Sequence, residues 1–462
     1  MTLQQLKTQV RSGAIDTVIV ALPDPFGRLV GKRFRADVFL NSVLKHGTHG
    51  CNYLLTVNIE MDPLEGFKVA NWESGFGDFV LKPDLDTIRV LPWQPGAALV
   101  LCDHVREDGS FVAENPRSVL RRQLERLRSK GLTCCCASEL EFYLFNQSYH
   151  AAFESGYRGL QPSSDYRIDY HLMQPTRDEQ LMRAIRNGMT QARVPVESSK
   201  GEWSKGQHEI NFIYDQPLPM ADMHVLFKQG VKEMAEQNGK SISFMAKYAP
   251  SEAGNSCHIH MSLWKGGANL FAGTNEAQRS PRNKRSVSAA ACGSKMFRQF
   301  LGGLLKYSPD LCLFFAPTIN SYKRYQPGSW APTRMAWAKD NRTVGFRVVG
   351  EGKSFRIENR MPGADANPYL AFAAMIAAGM AGVRESLDCG AEYVGNAYAD
   401  PKLARLPSSL ADAANLLEGS KLARSAFGDE VVDFYVRHAR LEIEAFNNAV
   451  TDWEKGRYFE RI

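Results

Sequence analysis

Residues 247–263, which read KYAPSEAGNSCHIHMSL, contain the pattern that most constrains how this chain folds. Near the end of the segment every second residue is polar, because His258, His260 and Ser262 alternate with apolar residues. Successive side chains of a β-strand point to opposite faces, so this strand would bury one face and present imidazoles and a hydroxyl on the other. The small residues at 253–256 let a backbone approach a ligand closely. The segment therefore predicts a strand that faces a binding site; a hairpin strand with two structural histidines is the alternative.

Three further segments repeat this arrangement. Each places charged or polar side chains on one face of a predicted strand and apolar side chains on the other. They are 138–145 (SELEFYLF, with Glu139 and Glu141), 207–212 (QHEINF, with Gln207, Glu209 and Asn211) and 356–360 (RIENR, with Arg356, Glu358 and Arg360). A single strand of this kind is common at a half-exposed surface, but the set of four predicts strands that line a common cleft.

The predicted cleft is rich in acids, which are Glu139, Glu141, Glu202, Glu209 and Glu358. Like charges within a few ångströms raise each other's pKa, so these carboxylates stay ionised together only beside a cation. Carboxylates with a single imidazole suit a hard ion such as Mg²⁺ or Mn²⁺ better than zinc. Arginines beside such a site indicate phosphate oxygens or substrate carboxylates, because a guanidinium binds two oxygens at once.

Length and composition narrow the class of protein. The chain has 462 residues, 44% of them hydrophobic, which suffices for a large core and at least two domains. The net charge of +6 is scattered along the chain, so it suits anionic substrates and gives no indication of nucleic-acid binding. Nine cysteines without a C-x-x-C pair predict neither a disulfide framework nor a zinc site, and they favour a reducing cytoplasm. No signal core or bilayer-length apolar segment is present, so no membrane association is expected.

Strand-forming residues dominate the first part of the chain, and helices alternate with strands after it. Residues 17–21 predict a β-branched strand that is followed by a turn at 23–28. No Walker-type or G-x-G-x-x-G loop is present, so a nucleotide would need another kind of site. This order of elements predicts an α+β fold. Helices are predicted at 117–130, 178–191, 220–238, 286–305, 367–387 and 429–458, the last as one long amphipathic helix.

Over nearly its whole length the chain resembles the glutamine synthetase family. Six motifs occur in the family's order, which makes the set far more specific than any one of them. They are Glu139-x-Glu141 followed by FYLF, Glu202 with Gly206-Gln207-x-Glu209, the His258 strand, Asn320-Ser321-Tyr322-Lys323-Arg324, Asn341-Arg342 and Arg356-Ile357-Glu358-x-Arg360.

The resemblance implies a two-domain architecture. Residues 1–110 would form a small β-grasp-like domain. Residues 111–462 would form a large catalytic domain in which an antiparallel sheet, flanked by helices, lines an active-site funnel. Family members are homo-oligomeric rings, commonly two stacked hexamers, and a ring requires head-to-tail contacts that close.

The resemblance also implies an activity: ATP-dependent activation of the glutamate side-chain carboxylate as an acyl phosphate, which an amine nitrogen then attacks. ATP and Mg²⁺ or Mn²⁺ would be the cofactors. By match to the family's motifs, Glu141, Glu202 and Glu209 would hold one metal ion, and Glu139, His258 and Glu358 the other.

Further roles follow from the same motif matches. Arg342 and Arg347 would face the phosphates, and Arg342, Glu358 and Arg360 are the predicted catalytic residues. The remaining ATP contacts would be Tyr214, His260, Ser262, Lys353 and Arg356. Substrate binding would fall to Gly254, Asn255, Arg324, Trp330 and Arg360.

The chain departs from the family pattern on the substrate side. Tyr248 replaces a proline, Ser256 a smaller residue, and Trp330 the glutamate that ammonia-using members carry in a flap. Residues 41–61 contain no aspartate, although those enzymes place an ammonium-binding aspartate there. Tyr398 stands where the family carries a tyrosine that is modified, but its surrounding sequence differs.

These departures favour an organic amine over ammonia. An indole supplies an apolar wall and a π face for an alkyl group or a cationic amine, where ammonium needs anions that bind it and accept its proton. The chain is therefore predicted to join glutamate to a polyamine or a monoamine. Two alternatives remain: a glutamine synthetase in which Glu60 or Asp62 takes the vacant role, and a non-catalytic structural member of the family.

Overall fold

The computed structural model describes residues 1–273 and 293–462. The first residues of the helix predicted at 286–305, and part of the loop before it, lie outside this range. From Lys295 onward the predicted helix is present.

The first sheet has six strands in the spatial order β2-β1-β6-β4-β3, with β5 also paired to β6. The β1–β6 pair is parallel and the other pairs are antiparallel. Its core contains Val18, Val20 and Val100, because alternate residues of β1 and β6 point inward together. The strands are β1 (Thr17–Pro23), β2 (Leu29–Arg35), β3 (Thr48–Cys51), β4 (Asp78–Pro83), β5 (Arg89–Val90) and β6 (Ala97–Val105).

The second sheet has nine strands in the order β13-β14-β15-β11-β7-β9-β8, with β10 added to β7 and β12 added to β11. Only the β13–β14 pair is parallel, so the sheet is antiparallel apart from that edge. The strands are β7 (Thr133–Phe145), β8 (Val196–Gly201), β9 (Gln207–Phe212), β10 (Ser241–Ser243), β11 (Cys257–Lys265), β12 (Ala268–Asn269), β13 (Trp337–Lys339), β14 (Phe346–Val349) and β15 (Arg356–Asn359).

The described residues also form thirteen α-helices, which pack against the two sheets and against one another. They are α1 (Leu3–Arg11), α2 (Ala36–Val38), α3 (Leu44–His46), α4 (Pro116–Arg128), α5 (Tyr149–Glu154), α6 (Glu179–Gln191), α7 (Pro217–Gln237), α8 (Lys295–Tyr307), α9 (Pro368–Arg384), α10 (Leu410–Gly419), α11 (Lys421–Phe427), α12 (Asp429–Asn448) and α13 (Asp452–Tyr458).

Helix α9 lies at the centre of the helical layer. It is capped by Asn367 and begins with a proline, as its sequence predicts. Its contact with α8 is unusually close, because a Cβ on Gly303 would lie 2.2 Å from the carbonyl oxygen of Ala378. Glycine is therefore required at this crossing. Within the described residues no helix combines the length and the apolar character that a membrane crossing requires.

The prediction of a single helix at 429–458 is wrong. Ala449 has an extended backbone (φ −76°, ψ 130°), and Thr451 then begins α13 with a capping box that includes Glu454. Only the first half of α12, up to Ala439, presents a buried apolar face to the core.

The α+β fold class is confirmed. The two sheets follow one another along the chain, the first ending at Val105 and the second beginning at Thr133. The domain division at residue 110 stays a prediction.

Candidate active site

The register of the second sheet brings its acids together. On β7, Glu139 lies opposite His258 of β11, and Glu141 lies opposite Glu209 of β9. Since β15 pairs with the far edge of β11, Glu358 joins the same face. The alternation read from the sequence therefore places these side chains on one side of neighbouring strands.

One group consists of Glu139, His258 and Glu358, which each offer a ligand atom within 4.8 Å of the others. His258 Nδ1 donates to Glu139 Oε1 at 2.8 Å, and Nδ1 lies 3.6 Å from Glu358 Oε1. The opposite ring atom, Nε2, is buried and has no hydrogen-bond partner among the described residues. Nδ1 is the ring nitrogen that faces both carboxylates, so it is the atom placed to share a metal ion with Glu139 and Glu358.

Charge stabilises the two carboxylates of this group. Burial opposes ionisation of Glu139, but hydrogen bonds from His258 and His260 hold its pKa well below the usual range. Glu358 is also buried, yet the nearby Arg360 guanidinium lowers its pKa to about 2. Arg360 Nη1 donates to Glu358 Oε1 at 2.5 Å, and Arg347 Nη1 donates to Oε2 at 2.8 Å.

The other group consists of Glu141, Glu202 and Glu209, again within 4.8 Å of one another. Burial and then the charge of Glu202 raise the pKa of Glu141 to about 8. Burial, followed by the charges of Glu139, Glu202 and Glu141, raises the pKa of Glu209 to about 11. Lys200 pairs with Glu202 but does not neutralise the other two acids.

A divalent cation would relieve this repulsion, so the second group also fits a metal ion. Together the two groups supply five carboxylates and one imidazole. That ligand set favours Mg²⁺ or Mn²⁺ over zinc.

A cavity of about 460 Å³ opens beside the first group. His260 lies in its wall, where Nε2 donates to Glu139 Oε2 at 3.3 Å and Nδ1 accepts from Arg356 Nε at 3.2 Å. This pattern fixes the Nε2-protonated tautomer. All six predicted nucleotide-binding residues line the cavity: Tyr214, His260, Ser262, Arg347, Lys353 and Arg356.

Two buried arginines, Arg324 and Arg360, contact Glu358 and the substrate-side residues Ser256 and Trp330. Arg324 donates to the carbonyl of Met361 and to Ser256 Oγ, both at 2.8 Å. Arg360 donates to Glu358 and to the carbonyl of Trp330, the latter at 3.3 Å. The Nε atoms of both arginines are buried without a partner in the described part of the chain. They therefore retain donors that a bound carboxylate can use.

The loop at 254–255 packs against Arg324. A Cβ on Gly254 would lie 2.6 Å from both the Ala246 carbonyl oxygen and Arg324 Cγ, so only glycine fits there. Asn255 Nδ2 donates to the carbonyls of Ser243 and Met245. Gln207, to which the sequence motifs assigned no role, reaches the same loop: its Nε2 donates to the carbonyl of Gly254, to Asn255 Oδ1 and to Glu141. Gln207 shares a strand face with Glu209, and this alternation was the sequence signal that could have identified it.

Trp330 lies at the rim of a second cavity, of about 670 Å³. Its side chain is 51% exposed, and its backbone is in the left-handed region (φ 67°). The cavity lies between the segments 245–253 and 326–330. Trp330 and Tyr248, the two lining residues that depart from the family pattern, face each other's segments across this cavity.

Arg342 is not brought into either cavity. It is exposed, and its side chain makes no hydrogen bond to the residues that the structure describes. Asn341 Oδ1 accepts from the backbone and hydroxyl of Thr343, and this local turn holds Arg342 at the surface. Arg347 alone of the two predicted phosphate-facing arginines lines the nucleotide cavity, paired with Asp340 and Glu358.

The hydroxyl of Tyr398 is buried. A modifying enzyme cannot reach it in this conformation. The sequence around Tyr398 also gave no support for modification.

Comparisons with known proteins agree on one family. The family model described as glutamine synthetase, catalytic domain, matches residues 113–458. The chain is 48% identical over 460 residues to gamma-glutamylethanolamide synthetase GlnA4 of Streptomyces coelicolor, covering 100% of this chain and 96% of that protein. It is 35% identical over 452 residues to glutamate–isopropylamine ligase of a Pseudomonas species, covering 97% and 96%. A solved structure of ligand-free GmaS superposes with a TM-score of 0.83 at 25% identity, covering 98% of this chain and 99% of that one.

Proposed function

The chain belongs to the glutamine synthetase family, and we propose that it catalyses the ATP-dependent ligation of the glutamate γ-carboxylate to a small organic amine. The product is a γ-glutamylamide. Two relatives that the chain matches over nearly their full length are named for ethanolamine and isopropylamine products or substrates. Short monoamines are therefore the acceptors of first choice, ahead of polyamines such as putrescine.

The geometry supports a proposed place for each reactant. ATP occupies the 460 Å³ cavity, with its base against Tyr214 and its phosphates toward Arg347. The glutamate carboxylates bind the free donors of Arg324 and Arg360, and Gly254 allows the backbone to approach the substrate. Mg²⁺ or Mn²⁺, when bound by the two acid groups, neutralises phosphate charge during transfer.

The chemistry has two steps, and the protein acts mainly by positioning. The glutamate γ-carboxylate attacks the γ-phosphorus of ATP, which gives γ-glutamyl phosphate and ADP. The amine nitrogen then attacks the acyl carbon, and inorganic phosphate leaves. Arg360, held by Glu358 at 2.5 Å, orients the carboxylate, and Arg347 stabilises charge on the transferred phosphoryl group.

The observation that carries the choice of an amine is the half-exposed indole of Trp330 at the mouth of the second cavity. Ammonium has no apolar surface to bury against an indole. An alkyl amine does, and its cation also gains from the π face. The segment 41–61 also has no aspartate at which ammonium could bind as in the ammonia-using members.

The decisive experiment compares kcat/KM for ammonium, methylamine, ethanolamine, isopropylamine and putrescine, measured as ADP release with glutamate and Mg²⁺. We expect at least one organic amine to exceed ammonium by tenfold or more. Trp330→Glu should move the preference toward ammonium, while Trp330→Phe, which keeps an aromatic face, should retain the preference for the amine. Ammonium as the best substrate of the unmodified protein would refute the proposal.

We further propose that the protein assembles as a closed ring, a hexamer or two stacked hexamers. This proposal is supported by family membership rather than by contacts within one chain. A head-to-tail interface that closes is the simplest assembly in which each cleft meets the next subunit.

A further inference from the structure

We propose that Glu252 is the carboxylate that binds the cationic form of the amine, in the cavity whose mouth is formed by Trp330. The inference rests on the proposed function and specifies its acceptor site. Glu252 lies on the loop that continues into Gly254 and Asn255, so the wall of this cavity leads along the chain to the proposed glutamate position. After passing its extra proton to the Glu252 carboxylate, an amine bound there would be placed to attack the acyl carbon of the γ-glutamyl phosphate.

The loop that carries Glu252 is held firmly in place. Tyr143 Oη donates to the carbonyl of Ala253 at 2.7 Å, and the backbone N–H of Ala253 donates to Ser204 Oγ at 2.8 Å. Lys247 Nζ donates to the main-chain carbonyl of Glu252. A fixed backbone lets one side chain act as a binding group without a large ordering cost.

The Glu252 carboxylate itself has no protein partner. No ion pair and no hydrogen bond to its side chain occurs within residues 1–273 and 293–462, because Lys247 binds the backbone oxygen instead. Glu252 is the single acidic residue among those that line this cavity, and Lys247 and Lys323 are the basic ones. The site therefore contains one half-buried carboxylate whose oxygens neither lysine binds directly.

Aromatic residues surround this anion. Trp330 exposes its ring at the cavity mouth, and Tyr248 packs 4.3 Å from the ring of Tyr143, which fixes its orientation. The Arg167 guanidinium lies 3.6 Å from the centroid of the Trp203 ring, so a cation already covers one face of that ring. Trp330 and Tyr248 are thus the rings available to an alkyl chain.

A carboxylate beside aromatic rings selects a short alkylammonium ion. The carboxylate binds the charged nitrogen, and the rings cover the carbon atoms and attract the cation. Ammonium alone would leave most of a 670 Å³ cavity filled with water.

The test compares two nucleophiles on the assembled enzyme with saturating ATP, glutamate and Mg²⁺. Ethanolamine is cationic at about pH 8, whereas hydroxylamine is uncharged there. Glu252→Gln should raise KM for ethanolamine about tenfold and leave KM for hydroxylamine, ATP and glutamate within about twofold. Glu252→Asp, which keeps the charge, should recover most of the affinity for ethanolamine. Glu154→Gln, a change at an exposed glutamate on α5, is the matched control.

Each outcome decides the proposal. An unchanged KM for ethanolamine in Glu252→Gln, or equal increases for both nucleophiles, would overturn the assignment while leaving amine ligation intact. A rise in KM for glutamate alone would assign Glu252 to the glutamate ammonium group instead and would also overturn it. If the unmodified protein used no amine at all, the proposed function and this inference would fail together.

Discussion

Replacing Glu141 with glutamine should stabilise the metal-free protein and at the same time abolish its response to Mg²⁺. In the fold, Glu141 is buried with Glu202 and Glu209 within 4.8 Å, and its pKa is raised to about 8 by burial and by Glu202. Glutamine keeps an oxygen that accepts from the Ser256 N–H, now 2.7 Å from the carboxylate. Glutamine also removes the negative charge of Glu141, which is unfavourable beside Glu202 and Glu209 when no metal ion is bound.

The size of the effect follows from linkage. At pH 7 the unfolded chain ionises Glu141 at its ordinary pKa of 4.5, whereas the metal-free fold keeps the group mostly protonated. Keeping Glu141 protonated in the fold costs about 1.4 kcal/mol of folding free energy for each pH unit between 4.5 and 7, so the total is roughly 3 kcal/mol. With an unfolding entropy of about 2.1 cal/mol/K per residue, this corresponds to a Tm increase of about 3 °C. Because both states are protonated below about pH 4.5, the gain should disappear there.

Thermal unfolding in EDTA and in saturating Mg²⁺ measures both parts of the prediction. The unmodified protein should gain stability from Mg²⁺, since a ligand that binds only the folded state raises Tm. Glu141→Gln should begin higher in EDTA, gain little from Mg²⁺ and lose more than about 100-fold in kcat. Glu154→Gln should match the unmodified protein throughout.

A Glu141→Gln protein that is less stable in EDTA would show that the carboxylates do not repel one another in the fold. A full Mg²⁺ response in that variant would remove Glu141 from the metal site. Either result would refute the reasoning from burial and like charge.

Two further predictions concern the other acid group and the assembly. Glu358→Gln should lower kcat, measured by ADP release, more than about 100-fold with little change in KM for ATP, because Arg347 and Arg360 lose their common partner. A near-normal kcat would exclude Glu358 from catalysis. Light scattering should give six or twelve times the 51.6 kDa of one chain, and an active monomer would contradict the proposed ring.

Local sequence pattern predicted much of the fold and of the acid cluster. Alternation at 138–145 and 257–263 predicted β7 and β11 and the shared face of Glu139, Glu141 and His258. These features depend on the two-residue period of a strand, which neighbouring residues alone define. The helix after Asn367 was predictable for the same reason, because its cap and first-turn proline are local signals.

Other features of the site depend on packing between distant segments. The capping box at Thr451 divides the predicted final helix, because this local interaction prevailed over the longer apolar pattern. Arg342 lies at the surface beside the turn at Asn341, and its role at the phosphates stays a prediction. Gln207 reaches the loop at Gly254 only because β9 and β11 lie on either side of β7.

The sequence by itself determined the family and the α+β class, and it predicted which residues would bind a metal ion and ATP. The sequence showed that Tyr248 and Trp330 depart from the family pattern, but it did not show that they line the same cavity. Only the tertiary structure placed the 245–253 loop against the 326–330 segment, so that Glu252 and Trp330, which are far apart in sequence, line one cavity. Strand periodicity fixes which way a side chain points, whereas the contact between two irregular loops is set by the packing of everything that supports them.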